Sequence, residues 1–154
     1  MTSNVHVGAP LPAGVAESDA RPALRYVVPV GRVLFAAIFV MAAFNHFSSK
    51  TIGYATSVGV PLAAVAVPLS GVIAVLGGLS AALGYRTRVG AWLIVVFLVP
   101  VTLMMHAFWG VSDPMMAQMQ MVMFMKNLSM LGAALLLAYH GAGPISFDRR
   151  RSAG

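Results

Sequence analysis

The chain has 154 residues, 59 % of them hydrophobic and only 9 % charged, and a mean hydropathy of +0.85, too apolar for a soluble domain of this length. Its net charge of +6 comes from basic residues at the ends of apolar runs, so it reads as a topology signal and not as a nucleic-acid surface. Cysteine is absent, which excludes disulfides, thiol chemistry, cysteine-ligated zinc and iron–sulfur clusters within the chain and leaves any electron chemistry to a bound cofactor or a partner.

In chain order, residues 1 to 25 hold Gly8, Pro10, Pro12, Gly14 and Pro22 among small and polar residues. They bury too little apolar surface to fold, and a flexible tail is expected. The order of a basic start, an apolar core and a cleavage site is missing, so this is not read as a cleaved signal peptide. The first apolar run covers residues 26 to 47, with Pro29 in its first turn and Arg32 near enough to the membrane surface to snorkel. It ends in Asn45, His46 and Phe47, and SSKTIGY follows.

The second run, 61 to 83, carries Pro68, where a kink is expected. Small residues let helix backbones approach where lipid gives no hydrophobic drive to pack, so Gly77, Gly78, Ala81 and Gly84 are expected against other helices. The third run, 88 to 109, holds Pro100 and finishes in HAFW; the loop GVSDP leads to the fourth, 119 to 141. Runs of about twenty residues at about 1.5 Å per residue span a hydrocarbon core of about 30 Å. The expected fold is an all-α integral membrane four-helix bundle with antiparallel sequential helices, flanked by tails over residues 1 to 25 and 149 to 154. Arg21, Arg25, Arg32, Arg86, Arg88 and Arg149 to Arg151 cluster so that both termini are expected in the cytoplasm, with the loops after the first and third runs facing outward. The arginines after the fourth run are expected against anionic lipid, with Phe147 dipping into the membrane.

Lys126 and Asn127 lie well inside the fourth run. An ammonium near the bilayer centre costs about 2.5–3.5 kcal/mol, so such a residue faces a protein interior or a wet cavity, or snorkels to the surface as a structural residue. Side chains on a helix lean toward its N-terminus. On this topology His46 and His106 lean into the membrane from its outer side and Lys126 leans out toward them. One outward-opening pocket is therefore expected, with Lys126 and His106 sharing it and Asn127, His46, Asn45, Thr102 and Ser70 as further lining. Trp109 fits an aromatic belt at the interface or a wall of that pocket, and His140 fits an interfacial residue. The methionines of the fourth run, scattered around the helix, suit packing better than thioether ligation of copper, and no metal site is expected. With no acidic residue inside a run and no HExxH, a proton-coupled transporter or a metalloprotease is not the reading.

The stretches GRVLFAAIFVMAAFNHF, VPLSGVIAVLGGLSAALGYRTRVGA, HAFW, FMKNLSMLGAALLLA and GAGPISFD, in this order over about residues 31 to 148, resemble the DoxX family of small four-helix membrane proteins. The resemblance implies a membrane subunit related to the small subunit of a thiosulfate:quinone oxidoreductase. It carries over the pair Lys126 and Asn127 and, less fully, His106. Where many members have a lysine and a glutamate, this chain has His46 and Ala74, so a site built on that glutamate does not carry over.

The functional expectation is thus a quinone-interacting or accessory subunit of a redox complex in the cell membrane, not catalytic alone. It has no covalent cofactor, takes a quinone in the outer pocket, and relies on a soluble or membrane partner protein for electrons. His106 and Lys126 would donate hydrogen bonds to the quinone oxygens. The alternative is a non-catalytic organiser or anchor for partner enzymes, or a binder of small hydrophobic molecules. The lipid bilayer is a partner on either reading, nucleic acid on neither, and self-association is compatible with both.

Overall fold

The computed structural model describes residues 24 to 152, and among these every regular element is helical. A 3₁₀ turn, Leu24–Tyr26, leads into α1, Val27–Ala43, which tightens into a second 3₁₀ turn, Phe44–Phe47. Then come α2, Ser49–Ser57; α3, Ala63–Leu83; α4, Thr87–Met105, with the 3₁₀ turn Phe108–Gly110 after it; α5, Pro114–His140; and the short α6, Phe147–Ser152. Four helical segments are long and apolar enough to cross a membrane: Leu24–Phe47, Ala63–Leu83, Thr87–Gly110 and Pro114–His140. Large apolar side chains such as Leu34, Met41, Leu76, Val96 and Leu136 are exposed on their outer faces, the inverse of a soluble bundle. The chain is an all-α, multi-pass integral membrane protein.

Local signals set the helix ends. Asp113 caps α5 by accepting the Met116 N–H at 2.8 Å, with Pro114 in the first turn, where its missing N–H costs nothing. Ser48 caps α2 in the same way through the Thr51 N–H at 3.2 Å. Gly84 ends α3 with φ of +66°, a left-handed turn that side chains rarely adopt.

Packing follows chain order: α1 lies on α3, α3 on α4 and α4 on α5. The central α3 owes its place to small residues. A Cβ on Gly77 would come within 2.8 Å of Ile94 Cγ1 on α4, and one on Gly78 within 3.1 Å of Val40 Cγ2 on α1. Ala81 is fully buried, so the expected close-packed face lies between neighbouring helices. Ala36 and Phe39 of α1, Ala74 and Ala81 of α3, Ile94, Phe97 and Leu98 of α4 and Ala134 of α5 form the main core. A second core joins Ala55 of α2 to Ala63 and Val67 of α3. The start of α1, the α3–α4 turn and the segment after α5 meet at one end, rich in arginine. The end of α1, α2, the start of α3, the end of α4 and the start of α5 meet at the other. Sequential membrane helices are therefore antiparallel.

Several expectations need correction. The fourth helix begins at Pro114, earlier than residue 119, because the Asp113 cap starts it. The segment after the first run folds into α2. Arg32 does not snorkel: it is 5 % exposed and bonded inside the protein. Residues 149 to 152 are helical, as the later part of α6, and Phe147 is exposed, as contact with lipid requires, with the Arg150 guanidinium 5.8 Å from its ring centroid. The expected N-terminal tail lies outside the described residues as far as residue 23, while Leu24 and Arg25 belong to the first 3₁₀ turn.

Candidate functional site

At the end of the bundle away from the arginines, α3, α4 and the end of α1 diverge around a cavity of about 440 Å³. Its walls are mostly apolar: Val60, Pro61, Ala66 and Val67 on one side, Pro100, Val101, Met104 and Met105 on the other. The polar groups on it are His46, Ser70, His106 and Thr51 of α2, and no carboxylate lines it. The short α2 packs Ala55 and Ile52 against Ala63, Val60, Val67 and Met105, so the helix not expected from the sequence closes one side of the cavity.

Both imidazoles are held by hydrogen bonds. His46 Nδ1 lies 2.9 Å from Ser70 Oγ, and Ser70 Oγ donates to the Val67 carbonyl at 2.7 Å. The His46 ring also leans on Phe97, 5.5 Å between centroids. His106 Nδ1 lies 2.7 Å from Gln120 Oε1 of α5; Gln120 Nε2 donates to the Tyr54 hydroxyl at 2.9 Å, and that hydroxyl donates to the Met105 carbonyl at 3.2 Å. This relay ties α2, the end of α4 and α5 together. Tyr54 and Gln120 were not among the expected site residues, although a glutamine within a membrane helix is itself a signal, since its amide needs partners there.

Three of the expected residues, His46, Ser70 and His106, meet at the cavity; the others do not line it. Lys126 is exposed on α5, its ammonium 3.4 Å from Met123 Sδ one turn nearer the helix start. Asn127 and Ala134 are the buried residues of α5 and mark its α4-facing side. Lys126, one residue from Asn127, is therefore rotated by about 100° from that side, which is why the ammonium does not join His106. Thr102 is buried on α4 away from the cavity, and Asn45 is exposed at the α1 end. Trp109 is 63 % exposed and stacks edge-on with Phe108 and Phe124, at 5.2 and 5.8 Å, pinning the α4–α5 connection instead of walling a pocket. Met115, Met116, Met119, Met121 and Met125 are exposed, as packing against lipid requires.

The arginine end is tied differently. Arg32 donates to the carbonyls of Ala142 and, at 2.9 Å, Ile145; its Nε has no partner among the described residues. Asp148 accepts the N–H groups of Arg86 at 2.6 Å and Thr87 at 2.9 Å, so a residue beyond α5 caps the start of α4, and its own N–H donates to the Gly84 carbonyl at 2.8 Å. Burial alone would push the Asp148 carboxyl up, but the hydrogen bonds from Thr87 and Arg86 and the nearby Arg32 guanidinium hold it below the usual aspartate value. Arg86, Arg88, His140, Arg149 and Arg151 surround an open cleft of about 820 Å³ there.

Comparison with known proteins gives a consistent picture. The family model described as SURF4 family matches residues 7–153. The inner membrane protein YphA of Escherichia coli (strain K12) is 33 % identical over 131 residues, covering 85 % of this chain and 92 % of that protein. No solved structure matches. These matches overturn the DoxX resemblance, since no match to that family accompanies them. The structure supplies a physical reason. GYRTR and GAGPISFD, two of the stretches behind the resemblance, are the two halves of the Gly84–Asp148 tie; they report how a helical bundle is fastened and not which chemistry it performs.

Proposed function

This chain belongs to the SURF4 family, and from that premise we propose that it is a multi-pass cell-membrane protein that binds a small lipophilic molecule at its histidine end and carries out no chemistry alone. The observation that carries the reading is the cavity itself: about 440 Å³, walled by aliphatic side chains and methionines, with His46, Ser70 and His106 as its fixed polar points. The arginine distribution puts the opposite end in the cytoplasm, so the cavity would face the outer side. Of the two readings weighed from the sequence, the quinone-linked redox subunit drew its specificity from the DoxX resemblance and from a Lys126–His106 pair, and both supports are gone. The binder of small hydrophobic molecules rests on geometry and is the one retained.

A lipophile that enters from the bilayer gains little from apolar walls, because lipid tails are as apolar as Val67 or Met104. Its retention depends on shape and on the polar points. The test is ligand-induced thermal stabilisation of the purified protein in nanodiscs, using long-chain phenols and alcohols as probes. Ala66→Phe, which fills the cavity from α3, should abolish saturable stabilisation while leaving the ligand-free melting temperature within a few degrees. Equal stabilisation of Ala66→Phe and the parent protein would overturn the reading.

A further inference from the structure

The hydrogen bonds around the two imidazoles determine which ring nitrogen carries the proton, and with it the polarity of the cavity. The Tyr54 hydroxyl has one proton, and it goes to the Met105 carbonyl. The Gln120 group 2.9 Å from that hydroxyl must therefore be the amide nitrogen, which turns Oε1, an acceptor only, toward His106. His106 Nδ1 must then be protonated. The same logic applies to His46: the Ser70 proton is used on the Val67 carbonyl, so Ser70 Oγ faces His46 Nδ1 as an acceptor and that nitrogen also carries a proton.

The cavity wall of valine, proline and methionine carries no carboxylate to pair with an imidazolium, and an unpaired buried charge is costly. In a neutral ring with Nδ1 protonated, Nε2 is a lone-pair acceptor. His106 Nε2 has no hydrogen-bond partner among the described residues. Gln120 and Tyr54 lie outside the cavity lining, so the committed edge of His106 faces away from it.

We infer that the cavity presents an imidazole acceptor, His106 Nε2, and selects lipophiles that donate hydrogen bonds, of the class of long-chain alcohols, phenols or hydroquinones, over the ethers and quinones of the same shape. This rests on the lipophile-binding reading above and deepens it. It also reverses the donor role expected for His106: the structure spends that donor on Gln120.

The experiment compares a long alkylphenol with its methyl ether, which share an apolar body and differ by one O–H, against the intact protein in nanodiscs. The phenol should bind at least about fivefold tighter, the ratio expected when a desolvated acceptor loses its donor. His106→Phe should remove most of that preference. Ether binding equal to or tighter than phenol binding would overturn the inference while leaving the cavity as a binding site. Saturable binding by neither compound would overturn the cavity reading and this inference with it. Nitrogen-15 NMR of the histidines in the unsubstituted protein tests the tautomer directly and needs no variant to fold: protonated Nδ1 and bare Nε2 on His106 supports the inference, and the reverse tautomer there refutes it.

Discussion

The two ends of the bundle treat their polar groups in opposite ways. At the arginine end, charged side chains are spent on the protein's own backbone: Arg32 on the carbonyls of Ala142 and Ile145, Asp148 on the N–H groups of Arg86 and Thr87. At the histidine end, two imidazoles are held by Ser70 and Gln120 beside an apolar cavity, and His106 Nε2 has no partner among the described residues. The first arrangement fixes where helices sit. The second leaves hydrogen-bonding capacity unspent, which lowers stability slightly and offers a ligand something to bind. One end should therefore govern stability and the other recognition.

Arg32→Met tests the stability half most severely. It strands two carbonyls and removes the cation beside Asp148, and we expect a loss of about 3 kcal/mol, read by urea or thermal unfolding in detergent, with phenol binding retained by the folded fraction. Parent-like stability would place the fastening elsewhere.

Asp148→Ala should cost about 1–2 kcal/mol, the usual range for a helix cap. Its pH signature sharpens the contrast. Because hydrogen bonds and Arg32 hold the carboxyl below its unfolded value, its contribution is whole above about pH 4 and is lost as pH falls through the lowered folded-state value. The acid limb of the unfolding profile should flatten in Asp148→Ala. Parallel profiles in the two proteins would show that the carboxyl plays no part in acid unfolding.

His46→Phe and His106→Phe should change unfolding free energy by less than about 1 kcal/mol each, while His106→Phe changes ligand preference. Should either lower stability as much as Arg32→Met, the division between the ends would be wrong. Lys126→Met should have the smallest effect, within about 0.5 kcal/mol on stability and none on ligand binding, because Lys126 is exposed and its ammonium bonds to Met123 on the same helix. A fall in affinity in this variant, measured by the same titration, would bring Lys126 back toward the cavity.

The four spans were legible because a twenty-residue apolar run has almost no other stable fate in a lipid-bound chain. The helix α2 was not: SKTIGYATS is short and mixed in polarity, and its helicity depends on packing Ala55 against Ala63 and Val67. At the site, chain order and side-chain tilt pointed to His46 and His106 at one depth, and both line the cavity with Ser70. The rotation of α5 about its own axis was hidden, since that helix is apolar nearly all round and only the burial of Asn127 and Ala134 reveals which side meets α4. That single unknown separated Lys126 from the cavity. Gln120 was readable as a polar residue in a span, but its role as the acceptor that fixes a histidine tautomer needs coordinates.

Arg32 meets its two carbonyl partners 110 and 113 residues further along the chain. During synthesis α1 therefore enters the bilayer with a guanidinium that nothing yet receives, and three more membrane-spanning helices must be made before the receiving carbonyls exist. The unfinished protein carries an uncompensated charge in its first helix, and the finished one hides it. A chain stopped at residue 140 should therefore gain no stability from Arg32, a chain that reaches residue 150 should, and Arg32→Met should erase most of that difference in unfolding measurements.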